Sequence, residues 1–104
     1  MYSITVYVPS SHIEVVKQAM FEAGAGRLGH YEHCAWQTLG QGQFKPLLNS
    51  QPFLGEKGKV EIVEEYELSM VCEKTHIHKV IKALKLAHPY EQAAYRVSSL
   101  EIIE

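Results

Sequence analysis

The sequence predicts an α+β fold of the ferredoxin-like β-α-β-β-α-β kind, a four-stranded antiparallel sheet with two helices on one face. Three observations predict it. Segments of strand period and helix period alternate in that order, stop signals bound both helical stripes, and the first half of the chain recurs in the second. At an offset of 64, Ile4, Val6 and Val8 fall on Leu68, Met70 and Cys72, and Ser11-His12-Ile13 falls on Thr75-His76-Ile77. Val16, Ala19, Met20 and Ala23 fall on Val80, Ala83, Leu84 and Ala87, and Tyr31 falls on Tyr95. A duplicated β-α-β unit follows, and right-handed crossovers set the spatial strand order at 4-1-3-2.

Residues 2–8 alternate Ile4, Val6 and Val8 with Ser3, Thr5 and Tyr7, the pattern of a half-buried strand, and Pro9 stops it. Ser11 stands three residues before Glu14, a capping-box spacing. Ile13, Val16, Ala19, Met20 and Ala23 then recur at helical spacing up to Gly24, where a helix terminates. Residues 30–38 are read as the second strand. Residues 60–72 form a longer one, with Val60, Ile62, Tyr66, Leu68, Met70 and Cys72 on one side and Glu61, Glu65, Glu67 and Ser69 on the other. Thr75 is placed to cap the second helix, whose stripe is Ile77, Val80, Ile81, Leu84 and Ala87, and His88-Pro89 ends it. The last strand covers 94–103.

Two consequences bear on function. The sheet face without helices carries Tyr7, Val63 and Val71 beside glutamates, a patch that marks an oligomer interface. The stretch 39–59 becomes a long connection between the second and third strands, with four of the seven glycines and two of the four prolines. A connection of that length is functional or mobile rather than mere linkage.

Composition narrows the classes. At 104 residues the chain, 1–104, fits one domain, large enough to fold without staples. Ten basic against twelve acidic side chains give a formal net charge of −2, which favours neither nucleic acid nor anionic membrane as partner. No apolar run approaches a membrane span, the start MYSITVYVPSSH lacks a secretion signal's basic and apolar regions, and two cysteines make no disulfide framework. A cytoplasmic protein is expected. Six histidines stand beside twelve glutamates and no aspartate.

The first chemical cluster is His88 to Tyr95, HPYEQAAY, where imidazole, phenol and carboxylate crowd a proline-fixed turn. It suits a ligand or proton-transfer site; the plainer alternative is a helix end where His88 caps carbonyls and Tyr90 packs. The second is Gly29 to Cys34, GHYEHC. On a strand, His30 and Glu32 would share a face and reach one metal, whereas His33 and Cys34 point oppositely. The plainer alternative is an unmetallated surface strand. Both clusters link a helix to an edge strand and are expected at the same end of the sheet on opposite edges, meeting only across a subunit boundary. His12, His76 and His78 read as surface residues, and Cys72 as an inert core thiol. No phosphate-binding or nucleophile motif occurs, although Lys45, Lys57 and Lys59 offer contacts to an anion.

Taken together, GRLGHYEHCAWQTLGQGQF-P, PFLGEKGKVEIVEEYELS and ALKLAHPYEQAAY resemble the domain inserted in bacterial YqfO proteins of the NGG-interacting-factor-three-like family. The resemblance spans nearly the whole chain. It implies a PII/CutA-like domain of the type that commonly assembles as trimers, and members consisting of this domain alone. Full-length relatives add a core with a two-metal site and carry a GTP cyclohydrolase type 2-like label; this sequence holds no such core, so that label is not expected to transfer. His88, Pro89, Tyr90 and Glu91 match the family's HPYE motif, and Gly29, Tyr31, His33 and Cys34 its G-x-Y-x-H-C segment. Gly40, Gly42, Phe44, Pro46, Gly55, Gly58 and Glu61 match its glycine-rich hairpin. Relatives have Asn in place of His30 and Glu-Pro in place of Gln92-Ala93.

The expectation is therefore a homo-oligomeric, trimeric binding or regulatory domain without catalysis. A divalent metal, zinc or copper by donor type, or a small ligand would sit in an intersubunit cleft. His88 and Glu91 of one protomer with His33 and Cys34 of another are the metal candidates; Tyr31, Tyr90, Gly40, Gly42 and Glu61 are the ligand-binding candidates. The 39–59 hairpin would cover the cleft or reach a partner protein. The alternatives are a metal-dependent hydrolase and a purely structural oligomerisation module.

Overall fold

In the computed structural model, which describes residues 1–103, the elements follow in the expected order. They are β1 (Tyr2–Pro9), α1 (Ile13–Glu22), β2 (Trp36–Phe44), β3 (Glu61–Cys72), α2 (Ile77–Ala87) and β4 (Tyr95–Ser99). The sheet runs β2-β3-β1-β4 with every pairing antiparallel, the predicted order read from the opposite edge. Both helices pack on one face. The alternation in β1 puts Ile4, Val6 and Val8 under them at zero exposure, in register with Met70, Leu68 and Tyr66 of β3. Val16, Met20, Val80 and Leu84 close that core from the helix side. Phe21, outside the predicted stripe, is buried as well.

Neither helix starts on a side-chain cap. Each follows a short 3-10 turn, Ser10–His12 and Lys74–His76, and these turns coincide at the offset of 64. The caps expected from Ser11 and Thr75 are therefore corrected. The Ser11 hydroxyl pairs with His12 Nδ1 at 2.8 Å instead, and the turn bond from His76 N–H to the Glu73 carbonyl (3.0 Å) does part of a cap's work. Gly24 ends α1 as expected, at φ +115°, where an added Cβ would lie 3.0 Å from the His76 ring.

The second strand is shifted from 30–38 to 36–44. Leu28 and Tyr31 exchange two backbone hydrogen bonds across a tight turn, and Gly29 and His33 hold positive φ, so 30–35 does not run extended. Residues 39–44, expected in the connection, are strand, and the connection itself is 45–60. Beyond the β1 pairing, which ends at Pro9 opposite Glu65, β2 and β3 continue as a two-stranded arm, and the molecule measures 49 × 24 × 23 Å. No helix covers the arm. Val60 and Ile62, read on the same side of the strand as Leu68 and Met70, are accordingly 55% and 59% exposed. β4 ends at Ser99 rather than 103, although Leu100 N–H still reaches the Met1 carbonyl.

The α1–β2 linker lies at the Cys72 end of the sheet, where Gly26 N–H donates to the Val71 carbonyl. The α2–β4 linker lies at the Pro9 end, where Tyr7 N–H donates to the Ala94 carbonyl. The expectation of a shared end is thus overturned. Each element reverses the chain, so α1 and α2 run antiparallel and deliver their linkers to opposite ends.

Candidate functional site

Pro89 cannot extend α2, and His88 ends the helix in an extended conformation that turns the chain over the sheet edge. The His88 side chain is 6% exposed. Its Nε2–H donates to the Tyr7 carbonyl at 2.7 Å, and Nδ1 accepts the Tyr90 backbone N–H at 3.2 Å. Both nitrogens are spent, which fixes a neutral ring. Burial holds this imidazole below the ordinary 6.5, against the opposing pull of the Tyr7 carbonyl and Glu65. His88 caps a strand carbonyl, pinning the turn to β1.

With the turn pinned, Tyr90 reaches under the arm. Its hydroxyl donates to Glu65 Oε2 at 2.9 Å. Burial, then the hydrogen bond and charge of Glu65, push the phenol well above its usual range. Glu65 is 9% exposed and stands opposite Gly40 in the β2–β3 register. A Cβ at Gly42 would overlap the Glu65 carboxylate, so glycine there makes the room that this side chain occupies. Glu91, the next residue, accepts the Gln51 backbone N–H on both oxygens, at 2.9 and 3.2 Å, and ties the 45–60 connection to the turn. The Gly58 N–H to Pro46 carbonyl bond (2.7 Å) closes the neck of that loop.

A cleft of about 260 Å³ lies between these parts. Its walls are Phe44, Pro46, Pro52, Phe53 and Leu54, with Glu65 and Tyr90 on the turn side and Gln43, Ser50, Glu91, Gln92 and Ala94 at the rim. The Tyr90 ring lies 5.7 Å from that of Phe44 and 6.3 Å from that of Phe53, and His12, read as a surface residue, meets Phe53 edge-on at 5.5 Å.

Of the expected site residues, Tyr90, Gly42, His88 and Glu91 gather at this one place. Gly40 and Gly42 border a second cleft, of about 390 Å³, on the open sheet face with Tyr7, Thr38, Glu65 and Glu67. Glu61 rests against Gly55 in the arm. Tyr31, His33 and Cys34 lie at the other end of the sheet, roughly 20–25 Å away by the length of β1. Tyr31 is 76% exposed. The His33 ring stacks on Phe21 at 4.6 Å, and the half-buried Cys34 thiol has only the distant Glu32 carbonyl, at 3.9 Å.

Within one chain these donors do not fit a metal: among the described residues no three His, Cys, Asp or Glu side chains converge. Sequence reasoning missed Glu65, Phe53 and Gln51. A glutamate facing glycines across a hairpin was the available signal for Glu65, and it was hidden by the shifted second strand.

No family model matches the chain. It is 44% identical over 98 residues to a Bacillus subtilis protein named GTP cyclohydrolase 1 type 2 homolog, covering 94% of this chain and 26% of that protein. Among solved structures, a Bacillus cereus protein related to NIF3 matches with a TM-score of 0.82 and 39% identity, over 97% of this chain and 26% of the other. The periplasmic divalent cation tolerance protein CutA from Archaeoglobus fulgidus matches over 100% of this chain and 88% of its own, with a TM-score of 0.70 at 17% identity. That last likeness establishes the fold alone. The chain is therefore homologous to one segment of the NIF3-related proteins, and it spans about a quarter of the length of the curated relatives it matches. The described residues include no helix long and apolar enough to cross a membrane.

Proposed function

Starting from this homology to a quarter-length segment, we propose that the chain is a self-associating regulatory domain that binds a small ligand in the Phe44–Tyr90 cleft and performs no chemistry of its own. The observation that carries this reading is convergence. Three segments remote in sequence, 43–54, Glu65 and 90–94, build one aromatic-walled cleft of about 260 Å³. Concave, mostly apolar sites with a few placed polar groups are the usual form of a small-molecule site. His88 supports the site as a strut, and the 45–60 loop, tied at Glu91, serves as its movable wall.

The activity in the relatives' name is left with the whole proteins. A zinc or copper ion held by His88 and Glu91 of one protomer and His33 and Cys34 of another is the weaker reading. It requires an interface joining opposite sheet ends and a broken His88 bond. Metal analysis of untagged protein tests it: stoichiometric zinc or copper lost in Cys34→Ala would restore it.

The cleft reading is tested by a thermal-shift screen of the chain against cationic, neutral and anionic metabolites, repeated on Phe44→Ser. At least one chemical class is expected to raise the Tm of the wild type and not of the variant. No shift from any class at millimolar concentration would sink the reading.

A further inference from the structure

The charge pattern around the cleft selects among ligands. Its lining holds two carboxylates, Glu65 and Glu91, and no lysine, arginine or histidine. Glu65 is more than nine-tenths buried, yet its one hydrogen-bond donor is the neutral Tyr90 hydroxyl on Oε2. Among the described residues the ion pairs are Lys17–Glu14 and Lys59–Glu56, and neither involves Glu65. No oxygen of Glu65 is both fully buried and unpartnered, so Oε1 keeps a narrow opening to solvent, and a carboxylate so nearly withdrawn from water with no cation beside it is placed to receive one. Phe44, Phe53 and Tyr90 put three aromatic rings into the same lining, and the face of such a ring attracts cations.

We propose that the cleft takes a small organic cation, an amine or a guanidinium group, with its charge at Glu65 and its hydrocarbon or planar part between Phe44, Phe53 and Tyr90. This rests on the cleft being a ligand site at all. A nucleoside triphosphate, which the relatives' name brings to mind, would set its phosphates against two carboxylates with no basic side chain to receive them. A metal ion is also a poor occupant, because one buried carboxylate and a phenol fall short of the oxygen ligands that hard cations require. The volume sets the size. About 260 Å³ is below the roughly 300–1,000 Å³ of pockets for drug-sized molecules, so the ligand is a small metabolite.

The test uses three matched probes on the 104-residue chain: phenethylamine, its neutral analogue phenylethanol, and the anion phenylacetate. Binding is followed by amide chemical shifts and calorimetry, on the wild type and on Glu65→Gln. The variant keeps an acceptor for Tyr90 and loses the charge; Phe53→Leu, in the loop, is the second variant should it fold poorly. The amine is expected to shift the amides of Gln51, Tyr90 and Ala94, with affinity at least tenfold above either analogue. That affinity should fall at least tenfold in Glu65→Gln, and several-fold in Phe53→Leu. Equal or better binding of phenylacetate or phenylethanol would overturn the cation assignment and leave the cleft standing as a site. Silence from all three probes would overturn both.

Discussion

At the scale of single residues, His88 is the group on which the site hangs, and its chemistry makes a signed prediction. The folded ring is neutral, with Nε2–H on the Tyr7 carbonyl and Nδ1 on the Tyr90 N–H. Burial lowers its folded value below the ordinary 6.5; Glu65 pulls the other way, and His12 adds to the lowering. As pH falls through 6.5 the unfolded chain therefore takes up a proton that the folded chain refuses. The unfolded state binds more protons, so stability is full above about 6.5 and is lost as pH falls toward the lowered folded value. His88→Gln retains a donor for the Tyr7 carbonyl and removes the titration. It should cost about 1 kcal/mol at pH 7.5 through the lost Nδ1 acceptor. The difference in urea-unfolding free energy between wild type and variant should then shrink from pH 6.5 downward. A difference that grows on acidification would mean that the ring is charged in the fold.

At the scale of elements, the helices and the central strands were legible because burial wrote a clean period into them. Ile4, Val6 and Val8 alternate, and Val16, Met20, Val80 and Leu84 follow the helical stripe. β2 was illegible for a physical reason. It is an edge strand whose Gly40 and Gly42 lie on the open face, where Gly42 leaves room for Glu65 rather than packing a side chain of its own. Glycine-rich sequence without apolar alternation reads as loop, and here it is strand. The cleft was half legible: His88, Tyr90 and Glu91 stood in one motif, but their partners Glu65, Gln51 and Phe53 are contacts across the fold that spacing cannot reveal. The same geometry predicts how the loop is held. Gln51 N–H has its acceptor in Glu91, an exposed side chain 40 positions away. Glu91→Ala should speed amide exchange at Gln51 roughly tenfold, as expected when a charge-assisted bond is removed from a locally opening segment. Exchange in α1 and β1 should stay unchanged. Equal exchange at Gln51 in both proteins would mean that the loop is held by its own neck, through Pro46 and Gly58.

At the scale of the whole molecule, an unpartnered chain leaves two features without support. An antiparallel sheet can keep one face in water, so the open face of Ser3, Thr5, Tyr7 and their neighbours is not by itself an interface. Trp36 at 73% exposure, with Val63 and Val71 on the same face, makes it apolar enough to be one. The arm is the stronger indication. A two-stranded ribbon is marginal on its own, and this one extends past β1 with Leu39 and Ile62 more than half exposed. Self-association through the open face would cover that face, and the arm's helix-side Leu39 and Ile62 would be covered where the arm reaches past β1 onto a neighbouring chain. Thr5 sits mid-face, between Ser69 and Arg96 in the register, and touches none of the helix-side core. Light scattering at micromolar concentration should give three times the chain mass for the wild type and the single-chain mass for Thr5→Arg, whose added charge would be stranded in the contact. In that monomer the amides of Gln41 and Glu64, midway along the arm, should lose exchange protection while Val6 and Leu68 keep theirs. A wild type that is already monomeric, with a protected arm, would show that the ribbon holds itself and that the open face belongs to solvent.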